Sequence, residues 1–159
     1  MPTTVTYPSA ELPGPPRISL SLPDGWEILT VPGVQIAAAE PARDAGFRTN
    51  LVVSVQRAAA GTELSSVAAD LARRTAELPA HEDLGTGELE IAGRSWLASE
   101  YGYTQAGADT VVQASRYCVL DRGSATDVVE VVGSCGAERA DTQIEIIRGM
   151  QDSVRIDIP

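Results

Sequence analysis

Apolar and polar positions change their period along the chain, and each change marks an element. Ile18, Leu20 and Leu22 alternate with Ser19 and Ser21, the period of two that a half-buried strand shows. Pro23, Asp24 and Gly25 supply a turn, and the chain folds back through Trp26, Ile28 and residues 34–39. Residues 40–48 are polar and predict a loop, which carries Phe47, the single phenylalanine. Leu51, Val53 and Val55 alternate again. From Leu64 the spacing widens: Leu64, Val67, Ala68, Leu71, Thr75 and Leu78 recur at helical intervals, with Thr62 placed to cap the start and Pro79 to stop propagation.

Four further strands are predicted over residues 84–91, 95–103, 110–121 and 128–134. Their connections, at Ala92 and Gly93, near residues 105–108 and over residues 122–126, are too short for parallel crossovers, so the four form an antiparallel meander. A second helix is predicted from Ala137 or Asp141 to Asp152, with Ala140, Ile144, Ile147 and Met150, then Val154, along its apolar stripe. The fold class is α+β: an antiparallel sheet of about six or seven strands with two packed α-helices. Pro2, Pro8, Pro13, Pro15 and Pro16 make residues 1–16 an extended, loosely held arm; residues 17–159 form a single domain.

Composition narrows the function. The chain has 159 residues, about one domain, and no apolar run near the roughly 20 residues that cross a bilayer. Its 22 acidic residues against 12 basic ones give a net charge of −10, a field that repels nucleic acid. Every basic residue is Arg, which removes Schiff-base chemistry and the phosphate-binding lysine of P-loops. The first residues lack a basic segment followed by an apolar one, so a cytoplasmic location is expected, or an exported or lipid-anchored one if a leader has been removed. Setting Asp121 opposite Asp127 across the turn places Cys118 opposite Glu130 and Cys135 opposite Gln113. That offset is roughly 16 Å at strand rise, beyond the roughly 7 Å reach of a disulfide, so two buried free thiols are expected.

Candidate chemistry is sparse. His81 is the only histidine, and it stands beside Glu82 and Asp83 without a nucleophile elbow, so no catalytic triad is expected. One His and two separated Cys do not make a zinc site; no metal and no cofactor is expected. Gly85, Gly87 and Gly93 fall between strands and read as turn residues. Glu88 with Glu90, or Glu100 with Asp109, are the carboxylate pairs a hydrolase would use. Arg73 and Arg74 fall on the polar face of the first helix. The more informative set is aromatic: Trp26, Trp96, Tyr101, Tyr103 and Tyr117 lie in or beside strands, Tyr101 and Tyr103 on the strand face opposite Trp96, and amphipathic rings suit a groove or an interface. Both tryptophans also suit the core.

The segments Ile18-Ser19-Leu20-Ser21-Leu22-Pro23-Asp24-Gly25-Trp26, Thr49-Asn50-Leu51-Val52-Val53-Ser54-Val55, Ile91-Ala92-Gly93-Arg94-Ser95-Trp96 and Ile147-Arg148-Gly149-Met150-Gln151-Asp152-Ser153-Val154, in this order, resemble the Mog1/PsbP-like fold and, within it, the actinobacterial LpqN/LpqT lipoprotein-type family. The resemblance spans residues 17–156. It implies an antiparallel sheet flanked by helices and an accessory or partner-binding role without enzyme chemistry. It carries over no catalytic residue, and the lipobox cysteine of the lipoprotein pattern has no counterpart here.

The sequence is therefore read as a non-enzymatic binding or accessory domain with a protein partner, and Trp26, Phe47, Arg48, Trp96, Tyr101 and Tyr103 are the candidate binding residues. Two alternatives stay open: a carrier of a small apolar ligand or lipid between sheet and helices, and a carboxylate-dependent hydrolase. A homo-oligomer formed through an open strand edge also stays open.

Overall fold

The computed structural model describes residues 1–105, 107 and 109–159. Ala106 and Ala108, in the turn predicted near residues 105–108, lie outside the described residues. In chain order the elements are β1 (Arg17–Ser19), β2 (Glu27–Leu29), β3 (Ile36–Ala39), β4 (Asn50–Ala59), α1 (Leu64–Ala76), β5 (Glu82–Ile91), β6 (Arg94–Thr104), β7 (Thr110–Asp121), β8 (Ala125–Gly136), a 3-10 turn (Ala137–Arg139), α2 (Ala140–Asp152) and β9 (Arg155–Asp157). The main sheet has seven strands in the order β2-β3-β4-β8-β7-β6-β5, and each neighbouring pair is antiparallel. β1 and β9 pair separately as a two-stranded sheet.

Successive side chains on a strand point to opposite faces, and this alternation divides the core. Leu51 and Val53 of β4, Trp96 of β6, Cys118 and Leu120 of β7, and Val129 and Val131 of β8 cluster with Ile147 and Met150 of α2. Their sequence neighbours Leu97, Tyr117 and Val128 cluster instead with Val67 and Leu71 of α1. The two helices thus cover opposite faces of one sheet. On the α2 face the contact is close: a Cβ at Gly133 would run into Ile147, so the absence of a side chain there lets the helix seat. Ile18 of β1 and Ile156 of β9 also pack against this cluster.

Several local expectations need correction. Residues 18–22 alternate as a strand should, but only Arg17–Ser19 is one, and its partner is β9, a three-residue strand too short to show a period in the sequence. Thr62 does not cap α1. Its hydroxyl donates to the Ala59 carbonyl at 2.7 Å, and the N-cap position falls to Glu63, without a side-chain cap bond. The β7–β8 hairpin closes more tightly than expected: the Arg122 N–H donates to the Ala125 carbonyl at 2.9 Å, and Asp121 pairs with Thr126 rather than Asp127. That one-residue slip sets Cys118 opposite Val129 and Cys135 opposite Val112. Both thiols are free and buried. The N-terminal arm carries no helix or strand, yet it touches the body where Arg57 donates to the Pro13 carbonyl at 2.7 Å and Ser124 to the Glu11 carbonyl at 2.8 Å.

Candidate functional site

β2 is three residues long and forms one edge of the main sheet. Its apolar side chains, and that of Val31 just beyond it, lie open to solvent: Ile28 is 80% exposed, and Leu29 and Val31 are exposed as well. Leu20, Leu22, Val34 and Ile36 stand beside them and complete a groove of about 400 Å³. Contiguous exposed apolar surface of this kind marks interaction sites in soluble proteins, and a strand edge offers unpaired backbone groups to an incoming segment.

The loop at residues 40–48 is tied to this edge by charge. Arg48 donates from Nε to the Glu40 carbonyl at 2.8 Å and from Nη2 to the β2 residue Glu27 at 2.7 Å. The carboxylate of Glu40 is itself gripped from the far side, by Arg139 Nη1 and Nη2 at 2.7 and 2.8 Å and by the Thr49 N–H at 3.0 Å. The Arg139 hydrogen bonds hold the Glu40 carboxyl below its ordinary range against the opposing effect of burial. The base of the loop is therefore rigid, residues 41–46 are exposed, and Phe47 is half-buried. Trp26, directly before β2, is partly buried against the main cluster.

The remaining candidates lie elsewhere. Trp96 is 2% exposed within the core and presents no surface to a partner. Tyr101 and Tyr103 stand on the opposite face of β6, the α1 side. The Tyr101 hydroxyl donates to Gln113 Oε1 at 2.8 Å, and Gln113 Nε2 donates to the Ser134 hydroxyl at 2.9 Å, so a line of bonds crosses β6, β7 and β8. Beside it Tyr117 is buried under α1, its hydroxyl between Glu130 and Arg74, whose Nη2 is 3.5 Å away. These groups line a cleft of about 230 Å³ with Ser54, Gln56 and Asp70. Burial, followed by the Glu130 charge, raises the Tyr117 hydroxyl above its usual range. Burial also raises that of Tyr101, partly offset by a hydrogen bond with Ser115. Both phenols stay protonated at neutral pH and act as hydrogen-bonding groups, not as bases.

His81 is half-buried, its ring 5.9 Å from that of Tyr101 and tilted by 42°. It lines a cleft of about 130 Å³ with Thr75, Asp83 and Ser99, but Asp83 accepts the Gly85 N–H at 2.9 Å, and Ser99 shares a hydrogen bond with Thr86 at 3.2 Å. Acid, imidazole and hydroxyl are not in series. The proposed carboxylate pair of Glu100 and Asp109 also separates: Glu100 pairs with Ala114 in the sheet and is held by Arg148 at 2.5 and 2.7 Å. Burial pushes both thiols up to about 11. Among the described residues no three His, Cys, Asp or Glu side chains converge as a metal site.

No family model and no curated protein matches the chain. Solved structures do. LpqN of Mycobacterium tuberculosis, described as involved in cell envelope biogenesis, superposes with a TM-score of 0.77 at 18% identity, covering 98% of this chain and 90% of LpqN. The cyanobacterial PsbP of Synechocystis sp. PCC 6803 gives 0.62 at 17% identity, over 90% of this chain and 94% of its own. The Ran-binding protein Mog1p of Saccharomyces cerevisiae gives 0.56 at 12%, over 87% and 89%. The fold is Mog1/PsbP-like.

On this Mog1/PsbP-like frame the sequence candidates separate into an edge group of Trp26, Phe47 and Arg48, a face group of Tyr101 and Tyr103, and the enclosed Trp96. Arg74, Gln113, Ser115, Glu130 and the groove residues Val31 and Val34 were not among the candidates. For the polar face a signal existed: Gln113, Ser115 and Tyr117 occupy every second position of one strand, but which face they shared with Tyr101 depended on register. Arg74 differs from its neighbour Arg73, which is solvated; the two were indistinguishable as adjacent arginines on a helix.

Proposed function

We propose that the protein is a non-enzymatic binding domain that docks a protein partner along the β2 edge, with the 40–48 loop as the flank of the contact. The observation that supports this most is the uncovered apolar row of Ile28, Leu29 and Val31 above the groove, since burying such surface is the main favourable term in protein association. The Arg48 bonds support it further, because they hold the loop against β2 and so join the two candidate regions into one surface. The fold agrees: one protein of this architecture is described as Ran-binding and another as involved in cell envelope biogenesis. The latter description also favours an exported location over a cytoplasmic one.

The apolar-ligand alternative is favoured by the same groove and not by the space between sheet and helices, which is filled on the α2 face by Ile147 and Met150 and bordered by polar groups beside α1. Affinity capture from the native host with the wild-type chain and with an Ile28→Asp, Val31→Asp double variant separates the readings. A specific protein retained by the former and lost by the latter supports docking at the edge. Equal capture by both, or lipid without protein in the eluate, overturns it.

A further inference from the structure

Nine of the 12 arginines are in ion pairs. Among the described residues Arg17, Arg94 and Arg155 are not, and two of these three line one small cavity of about 180 Å³ together with Ile91, Ala92, Trp96, Val154 and Ile156. It lies where the β5–β6 hairpin meets the C-terminal segment entering β9. The hairpin turn is tight, with Ala92 and Gly93 both at positive φ (50° and 79°), as a two-residue type I′ connection requires. That turn returns the chain immediately, so Arg94 and Trp96 share the α2 face of β6 at the cavity.

The lining supplies donors and no carboxylate. Each guanidinium carries five N–H donors and no acceptor. Arg155 uses Nη1 on the carbonyls of Asp152 and Val154, at 3.0 and 2.7 Å. Trp96 is almost fully buried, and its indole N–H has no acceptor among the described residues, an arrangement that folded proteins seldom tolerate. The Cys118 thiol, on which Arg94 acts, is kept neutral by burial and provides no counter-charge. The clefts beside α1, by contrast, contain Asp70 and Glu130 or Asp83.

We propose that this cavity binds a small oxyanion, a phosphate or carboxylate group, between the guanidiniums of Arg94 and Arg155 and against the Trp96 wall. The apolar residues Ile91, Val154 and Ile156 exclude water from one side of the site, which strengthens each charge-assisted bond. Local donors are the only source of attraction, because the net charge of −10 repels anions at a distance. The volume is below that of pockets for drug-sized ligands and suits a free anion or the acidic end group of a longer molecule.

The test is titration of the full chain with sodium phosphate and, separately, sodium acetate, at ionic strength held constant with sodium chloride. The indole ¹⁵N–¹H cross-peaks are followed by NMR, that of Trp96 assigned through Trp26→Phe. A saturable shift of the Trp96 peak with phosphate or acetate, at least tenfold weaker in Arg94→Gln and in Arg155→Gln, establishes the site, and the stronger of the two anions identifies its class. Cross-peak dispersion shows that each variant is folded. A shift no larger than chloride produces, or one that persists unchanged in both variants, overturns it.

Discussion

Asp127 lies 1% exposed near the turn end of β8, with Arg57 Nε and Nη2 at 2.9 and 3.1 Å and Arg122 Nη1 at 2.7 Å. Burial pushes its carboxyl up, and the hydrogen bonds from Arg57 and Arg122 outweigh that and leave it below the ordinary range. Glu40 is depressed as well, by Arg139. Groups with lowered folded-state values contribute stability above their unfolded values, near 4, and that contribution disappears as pH falls through the folded ones. Urea midpoints should therefore hold from pH 7 to about 5 and drop as the pH falls below about 4, and an Asp127→Asn variant should flatten that drop. The same substitution leaves Arg122, 4% exposed at its side chain, facing a neutral amide. It should cost about 3–5 kcal/mol at pH 7 by urea unfolding. In the sequence Asp127 serves only to set a strand register, because one acid among 22 carries no mark of which arginines the fold brings to it.

At the scale of elements, the two helices differ in how they meet the sheet. α2 buries Ile147 and Met150 over Gly133 and Val131, so Ile147→Ala should cost about 2–5 kcal/mol and Gly133→Ala about 1–3 kcal/mol through overpacking. Both are read from denaturant midpoints. α1 is flanked by clefts on both margins, and Arg74 and Tyr117 line one of them. β2 is the opposite case: Ile28→Asp should change stability by less than about 0.5 kcal/mol, because the side chain is already in water, while removing apolar area that a partner would cover. The helices, and the four long strands of the meander, were legible from periodicity because each runs for 10 residues or more. β1 and β9 were harder to place, at three residues each, since such segments exist only by virtue of their mutual pairing. The cap at Thr62 failed for a similar reason: a hydroxyl one residue too early bonds back into the preceding turn.

For the molecule as a whole, both cysteines lie on the α2 face of the sheet, at registers 118 and 135, inside one cluster. With values pushed up to about 11 by burial, they hold almost no thiolate at neutral pH and are shielded from reagents. A thiol-specific reagent should consume well under one equivalent in the native state and two after unfolding; rapid labelling of the native protein would contradict this burial.

The alternation of apolar residues and the two helical stripes sufficed to set the fold class, the antiparallel meander and the partition into inward and outward positions, because these depend on periods of two and 3.6 that are local properties of the chain. What only the tertiary structure decided was the placing of each helix on its own face, the one-residue register of the β7–β8 hairpin, and the meeting of residues far apart in sequence. The β2 groove, the polar line from Tyr101 to Ser134 and the cavity joining Arg94 to Arg155 are products of strand order and register. None of the three is encoded in any single segment, because each depends on which partner a strand finds and on the residue at which their pairing begins.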